Sequence, residues 1–163
     1  MAKRKITNEK EALAAIRKGV IPLSTVPKNL RMPEVCFEAV RKEGWMLVDV
    51  PEKFKTEELC MEAVKQDGMA LEYVPEKFRT AELCLAAVRK YGLGLIEVPE
   101  NLITAELCLE AVKQYGIALC YVPQKLKTAK LCLEAVKSMI ELVMKNVPKR
   151  LQTEVRAAIK NGA

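Results

Sequence analysis

The sequence predicts an all-α fold, an α-solenoid, and three observations carry that expectation. Cys36, Cys60, Cys84, Cys108 and Cys132 recur every 24 residues, each inside one phrase typified by AELCLEAVKQYG. A fixed period of this length marks a repeat array in which each unit contacts its neighbours. Val-Pro recurs in phase at 26–27, 50–51, 74–75, 98–99 and 122–123. No segment shows the two-residue alternation of a half-buried strand. About six repeats of 24 residues are expected, each one longer helix plus a short helix or 3₁₀ turn, with degenerate terminal caps.

The elements follow in order as one domain, 1–163. A degenerate leading unit occupies 7–32 and keeps Val26-Pro27 in phase. Full repeats run 33–56, 57–80, 81–104 and 105–128. A degenerate unit, 129–153, gains one residue, because Val147-Pro148 comes 25 after Val122-Pro123. A capping helix, 154–163, closes the chain. Terminal units drift because they must cover the exposed ends of the core.

Within a unit, Thr56, Thr80, Thr104 and Thr128 stand where an N-cap belongs, with Glu58, Glu82 and Glu106 in the first turn. Gly44, Gly68, Gly92 and Gly116 are expected to stop the helix as left-handed caps. The longer helix then runs from Ala81 to Tyr91 in the third full repeat. An apolar turn such as Met69-Ala70-Leu71 follows. After it Pro75-Glu76-Lys77-Phe78 forms a short turn, proline suiting a first helical position. At about 100° per residue, Leu83, Cys84, Leu85, Ala87 and Val88 span an apolar arc of roughly 200°. A helix with so wide an arc must be sandwiched between neighbours. Glu82 and Arg89 point the other way.

Charge is unevenly placed. The net +6 divides into +6 over 1–32, −6 over 33–124 and +6 over 125–163. An acidic middle between basic ends excludes a uniform basic groove along the chain. No apolar stretch approaches the roughly 18 residues of a membrane span, so no membrane contact is expected. MAKRKITNEKEALAAIRKG lacks the apolar region of a secretory signal. Six cysteines without such a signal point to free thiols in a reducing cytoplasm.

The cysteine ladder is the tempting place for chemistry. Metal clusters need thiolates close together, at spacings such as C-x₂-C. Here neighbouring ladder cysteines lie one repeat apart, about 8–10 Å, each at the centre of the apolar arc. No histidine is present to complete a site. The ladder reads as core, and neither metal nor cofactor is expected; Cys120 lies off it. Without histidine, and with carboxylates in repeated surface columns, no catalytic constellation forms. No phosphate-binding glycine loop occurs. An enzyme is not expected.

Arg41, Lys65, Arg89, Lys113 and Lys137 form a basic column that a phosphate backbone could follow. Glu62, Glu110 and Glu134, three residues before Lys65, Lys113 and Lys137, make salt-bridged surface the simpler reading. The ends offer Lys3, Arg4, Lys5, Lys145, Lys149, Arg150, Arg156 and Lys160. Some equivalent positions differ between units: Trp45, Met69, Leu93 and Ile117 after the helix; Glu43, Asp67, Tyr91 and Tyr115 at its end; Asp49, Tyr73, Glu97 and Tyr121 before Val-Pro. Positions that accept Asp, Glu and Tyr are not deep core. Tyrosine and tryptophan are frequent interface anchors. The candidate binding residues are therefore Trp45, Tyr73, Tyr91, Tyr115 and Tyr121, with Arg89 and Lys113, and a Tyr91–Tyr115 patch leads them. Side chains merely lying across helix ends are the structural alternative.

The phrase A-V-K-x-x-G-x-A-L-x-x-V-P, whole in Ala63–Pro75 and Ala111–Pro123, resembles the short α-helical repeats of bacterial proteins known only as a domain of unknown function. That family often has Ala-Ser where this chain has Val-Pro. The resemblance implies a helical repeat fold and brings no activity, cofactor or site residues. The repeat also resembles the variant leucine-rich repeat. That family can carry an iron–sulfur cluster in a separate cysteine-rich segment, which this chain lacks. The expected function is a non-catalytic scaffold binding a protein or peptide; the alternative is nucleic-acid binding through the basic terminal units. Oligomeric state stays open.

Overall fold

A computed structural model describes residues 6–137, 144 and 146–161. Lys3, Arg4, Lys5 and Lys145 lie outside them. Among the described residues there are α-helices and 3₁₀ segments and no strand. The fold is an all-α repeat fold.

The helices are α1 (Glu9–Arg17), α2 (Pro33–Lys42), α3 (Glu57–Gln66), α4 (Ala81–Lys90), α5 (Ala105–Gln114), α6 (Ala129–Val136) and α7 (Lys149–Lys160). After each of α2 to α5 comes a 3₁₀ segment of six residues, such as Gly68–Tyr73, and then a three-residue turn, such as Glu76–Phe78. Two compact units result, Met1–Arg79 and Thr80–Ala163. In the first, α2 packs between α1 and α3; in the second, α5 packs between α4 and α6, and α7 packs on α6.

The threonine caps form as the sequence indicates. Thr56, Thr80, Thr104 and Thr128 each accept from the backbone N–H three residues on, at 3.2 Å, satisfying a donor the helix cannot. In α1 the same task falls to Asn8, whose Oδ1 accepts from Glu11 N at 3.0 Å. The wheel reading of α4 holds for Leu83, Cys84, Ala87 and Val88, which are fully buried, as are their equivalents Cys60, Ala63 and Val64 in α3, whereas Leu85 on the flank is half-buried.

The glycines behave differently from expectation. Among the described residues Gly19 is the one with positive φ, at +66°, so Gly44, Gly68, Gly92 and Gly116 are not left-handed caps. They open the 3₁₀ segments. A Cβ on Gly44 would run into Ala63 O of α3, and one on Gly92 would lie 2.7 Å from Ala111 O of α5. Glycine is needed there because the next repeat's helix backbone touches the segment. Gly19 makes the left-handed stop instead. Gly19 N donates to Ile16 O at 2.8 Å and Val20 N to Ala15 O at 3.1 Å, the bond pair of a Schellman motif.

Two smaller departures concern boundaries. Tyr91 is the residue that ends α4, at φ −150°, rather than its last turn. The C-terminal helix begins at Lys149, ahead of the expected 154, because after Pro148 the chain continues as a twelve-residue helix instead of a short turn. Pro51, Pro75, Pro99 and Pro123 precede their turns, and their carbonyls accept from Phe54, Phe78, Leu102 and Leu126 N–H at 2.8–2.9 Å.

Candidate functional site

Tyr91 and Tyr115 follow the last residues of α4 and α5, and both have extended backbone, φ −150° and −138°. That conformation ends each helix and throws its tyrosine outward. The two rings meet edge to face, with centroids 5.2 Å apart and planes at 61°, a favoured aromatic geometry. Tyr115 is 42% exposed and Tyr91 is half-buried beside it.

Gln114, next to Tyr115, fixes the spacing of these two helix ends. Its Nε2 donates to Val88 O at 3.0 Å and Arg89 O at 2.9 Å, and its Oε1 accepts from Gly92 N at 2.9 Å. One side chain thus caps the C-terminus of the preceding helix, where carbonyls lack intrahelical donors. In the first unit the equivalent Gln66 does something else, donating to Glu62 Oε1 within its own helix at 3.1 Å.

The remaining candidates are scattered over separate places. Tyr121 is exposed at the end of Gly116–Tyr121, and Tyr73 is half-buried at the end of Gly68–Tyr73. Trp45, 41% exposed, lines a hollow of about 310 Å³ together with Val20, Ile21 and Pro22. Arg89 and Lys113 are exposed. The basic column is paired at its ends, Arg41 to Glu38 at 3.9 Å and Lys137 to Glu134 at 3.1 Å. Glu62, expected to face Lys65, binds Gln66 instead.

A second cationic column escaped the sequence reading. Arg31, Lys55, Arg79 and Lys127 follow the short 3₁₀ turns, and Ile103 occupies the same place in the third full repeat. These cations turn inward onto backbone carbonyls. Arg31 donates to Ser24 O, Val26 O and Asp49 O at 3.0, 3.0 and 2.8 Å. Lys55 reaches Tyr73 O at 3.0 Å and Lys127 reaches Asn146 O at 3.3 Å. Arg79 reaches Val74 O and Glu72 O at 2.9 and 3.2 Å. Their 24-residue recurrence was the available signal; its gap at Ile103, and the habit of reading cations as surface, hid it.

The ladder cysteines are fully buried and all six cysteines are free. Burial pushes the thiols of Cys36, Cys60 and Cys108 up to about 11 and raises that of Cys132, since a buried thiolate loses its hydration. The nearby cations Arg31, Lys55 and Lys127 offset part of this at Cys36, Cys60 and Cys132. Cys120 is exposed. Among the described residues no group of three or more Cys, Asp or Glu is placed to hold a metal ion. No helix among them is long and apolar enough to cross a membrane.

A family model described as Domain of unknown function (DUF4116) matches residues 33–79 and 80–127. Each match covers two of the 24-residue repeats. The join between the matches falls where the two compact units divide. No curated protein and no solved structure matches the chain.

Proposed function

We propose that this chain, which belongs to the family of the Domain of unknown function (DUF4116), is a non-catalytic scaffold that binds a protein or peptide segment at the Tyr91–Tyr115 pair. The observation that carries the reading is the edge-to-face pair itself, built from equivalent positions of successive repeats and left part-exposed. Two apposed phenol rings give a large contact area at little cost in side-chain entropy, with hydroxyls free to orient a ligand. The Gln114 clamp supports it by holding both helix ends in place before a ligand arrives, and preorganisation favours affinity. Arg89 and Lys113, two residues before each tyrosine, add positive charge for acidic ligand groups. Buried thiols kept free fit work in the reducing cytoplasm of a bacterial cell.

Selection from a random peptide library on the immobilised chain tests this. Recovered peptides should lose about tenfold or more in affinity against Tyr91→Ala/Tyr115→Ala, as removal of aromatic anchors implies. They should keep their affinity against Tyr73→Ala. Unchanged binding to the double variant would sink the proposal. The alternative, nucleic-acid binding by the basic ends, draws on exposed Lys149, Arg156 and Lys160 of α7. It requires affinity for RNA or DNA that falls steeply between about 50 and 200 mM salt.

A further inference from the structure

The first unit carries an open apolar groove of about 1090 Å³ beside α1. Its floor is Ala14, Ala15, Val20, Ile21 and Pro22, with Lys10 and Lys18 on its rim. Val20 is 69% exposed, the highest value among the exposed large apolar side chains of the described residues. The Schellman motif at Gly19 puts it there, by turning the chain back across the end of α1.

Three observations say what fits. The first is shape. α2 is packed by helices on both sides, α1 and α3. α1 has α2 on one side, tied by Arg17 to Glu34 and Glu38 at 3.2 and 3.1 Å. The groove is lined by α1 residues other than its buried Ala12 and Ile16. The hollow is open and sits at the upper end of the roughly 300–1,000 Å³ typical of ligand clefts, with room for side chains laid along α1.

The second is charge. Residues 6–32 carry five Lys or Arg against two acids. Glu11, the acid in the lining, is turned to the α1 N-terminus, where its Oε2 accepts from Thr7 N and Thr7 Oγ1 at 2.9 Å. Lys10 in α1 and Lys18, the C-cap of that helix, stand eight residues apart, about 12 Å along its axis at 1.5 Å per residue. The third concerns a second copy as occupant. A copy is acidic in its middle, but its apolar helix positions there, such as Leu59, Leu83 and Leu107, are already buried.

We infer that this groove is a docking site for an amphipathic helix of a partner protein, laid against α1, with apolar residues on the floor and acidic residues spaced to meet Lys10 and Lys18. It is a second surface, separate from the tyrosine pair. Apolar anchors flanked by charge are how helices bind grooves in general.

The test uses a labelled, hydrocarbon-stapled peptide with leucines between two glutamates eight positions apart, titrated against the whole chain by fluorescence anisotropy. Saturable binding is expected. Val20→Asp should weaken it roughly tenfold or more, the equivalent of one lost apolar contact. Because Val20 is solvent-facing, its thermal unfolding should stay unchanged. Lys10→Glu/Lys18→Glu should invert the preference, so that a peptide with lysines in place of the glutamates binds better. Tyr91→Ala/Tyr115→Ala should leave binding intact, so this site can stand or fall apart from the tyrosine pair. Absence of saturable binding, or equal affinity for acidic and lysine peptides, overturns the inference. So does sedimentation showing a dimer that Val20→Asp dissociates, since a second copy would then be the occupant.

Discussion

Lys55 Nζ lies 3.0 Å from the carbonyl oxygen of Tyr73, eighteen residues ahead and one repeat on. The lysine is 9% exposed, and Glu52 Oε1, at 2.6 Å, supplies its countercharge from the solvent side. A buried ammonium is tolerated because carbonyl and carboxylate replace its water. Lys55→Met keeps the stem and removes the donor. A loss of about 1–3 kcal/mol in urea unfolding is expected, the cost of taking a partner from a buried carbonyl. No change would mean the contact is incidental.

Ile103 interrupts that column, and its repeat offers the reverse experiment. Ile103→Arg places a guanidinium where Arg31 and Arg79 carry one. A gain of about 0.5–2 kcal/mol is expected, typical of restoring the pattern that the other repeats of the chain share. A lower melting temperature would show that the third full repeat cannot accept the clamp.

Gly44 and Gly19 separate two reasons for glycine. Gly19→Ala strains a φ of +66° but meets no atom within 4 Å, so a loss of about 1–2 kcal/mol follows. Gly44→Ala drives a methyl into the Ala63 carbonyl of α3. A backbone atom cannot swing aside, and overpacking of about 1–3 kcal/mol or more is expected. Chemical denaturation of both variants decides it, with Gly44→Ala the more damaging.

Gln114→Leu tests whether the clamp aligns the tyrosines. Losing it removes partners from Val88 O, Arg89 O and Gly92 N, at about 1–3 kcal/mol. The Tyr91–Tyr115 coupling, about 0.5–1.5 kcal/mol in a double-mutant cycle, should shrink in that background. Coupling of undiminished size would mean the rings find each other unaided.

The thiols give a pH dependence. In the folded chain Cys36, Cys60 and Cys108 titrate at about 11, against about 8.5 unfolded. A raised folded value means the unfolded chain releases its protons first as pH rises, so stability is full below about 8.5 and falls as pH climbs towards 11. Melting temperatures across that window should decline. At neutral pH a thiol reagent should modify Cys120 fast and the five ladder cysteines at the rate of unfolding.

Much of the fold was legible because it is periodic. The threonine caps, the buried cysteine line and the first residues of α3 to α5 all follow from residues that repeat without a gap. The glycine role was misread because Gly44 and Gly92 follow a helix, as a left-handed cap does; only the position of the next helix shows what confines them. Of the candidate residues, Tyr91 and Tyr115 proved adjacent because they hold one register in successive units. Trp45 shares no register with them and lies by the first unit's hollow. Gln114 gave no signal, since Lys42 and Lys90 stand at its equivalent places and Gln66 makes a different bond.

The clamp cations reach forward: Arg31 to Asp49, Lys55 to Tyr73 and Lys127 to Asn146. A ribosome delivers the cation first. The carbonyl it needs emerges eighteen or nineteen residues later, about 1–4 s at 5–20 residues per second. During each such interval the newest repeat has only its nearer partners in place, Ser24 O and Val26 O for Arg31 and Glu52 for Lys55, with the forward contact unmade. Closure of each clamp therefore trails translation by most of a repeat.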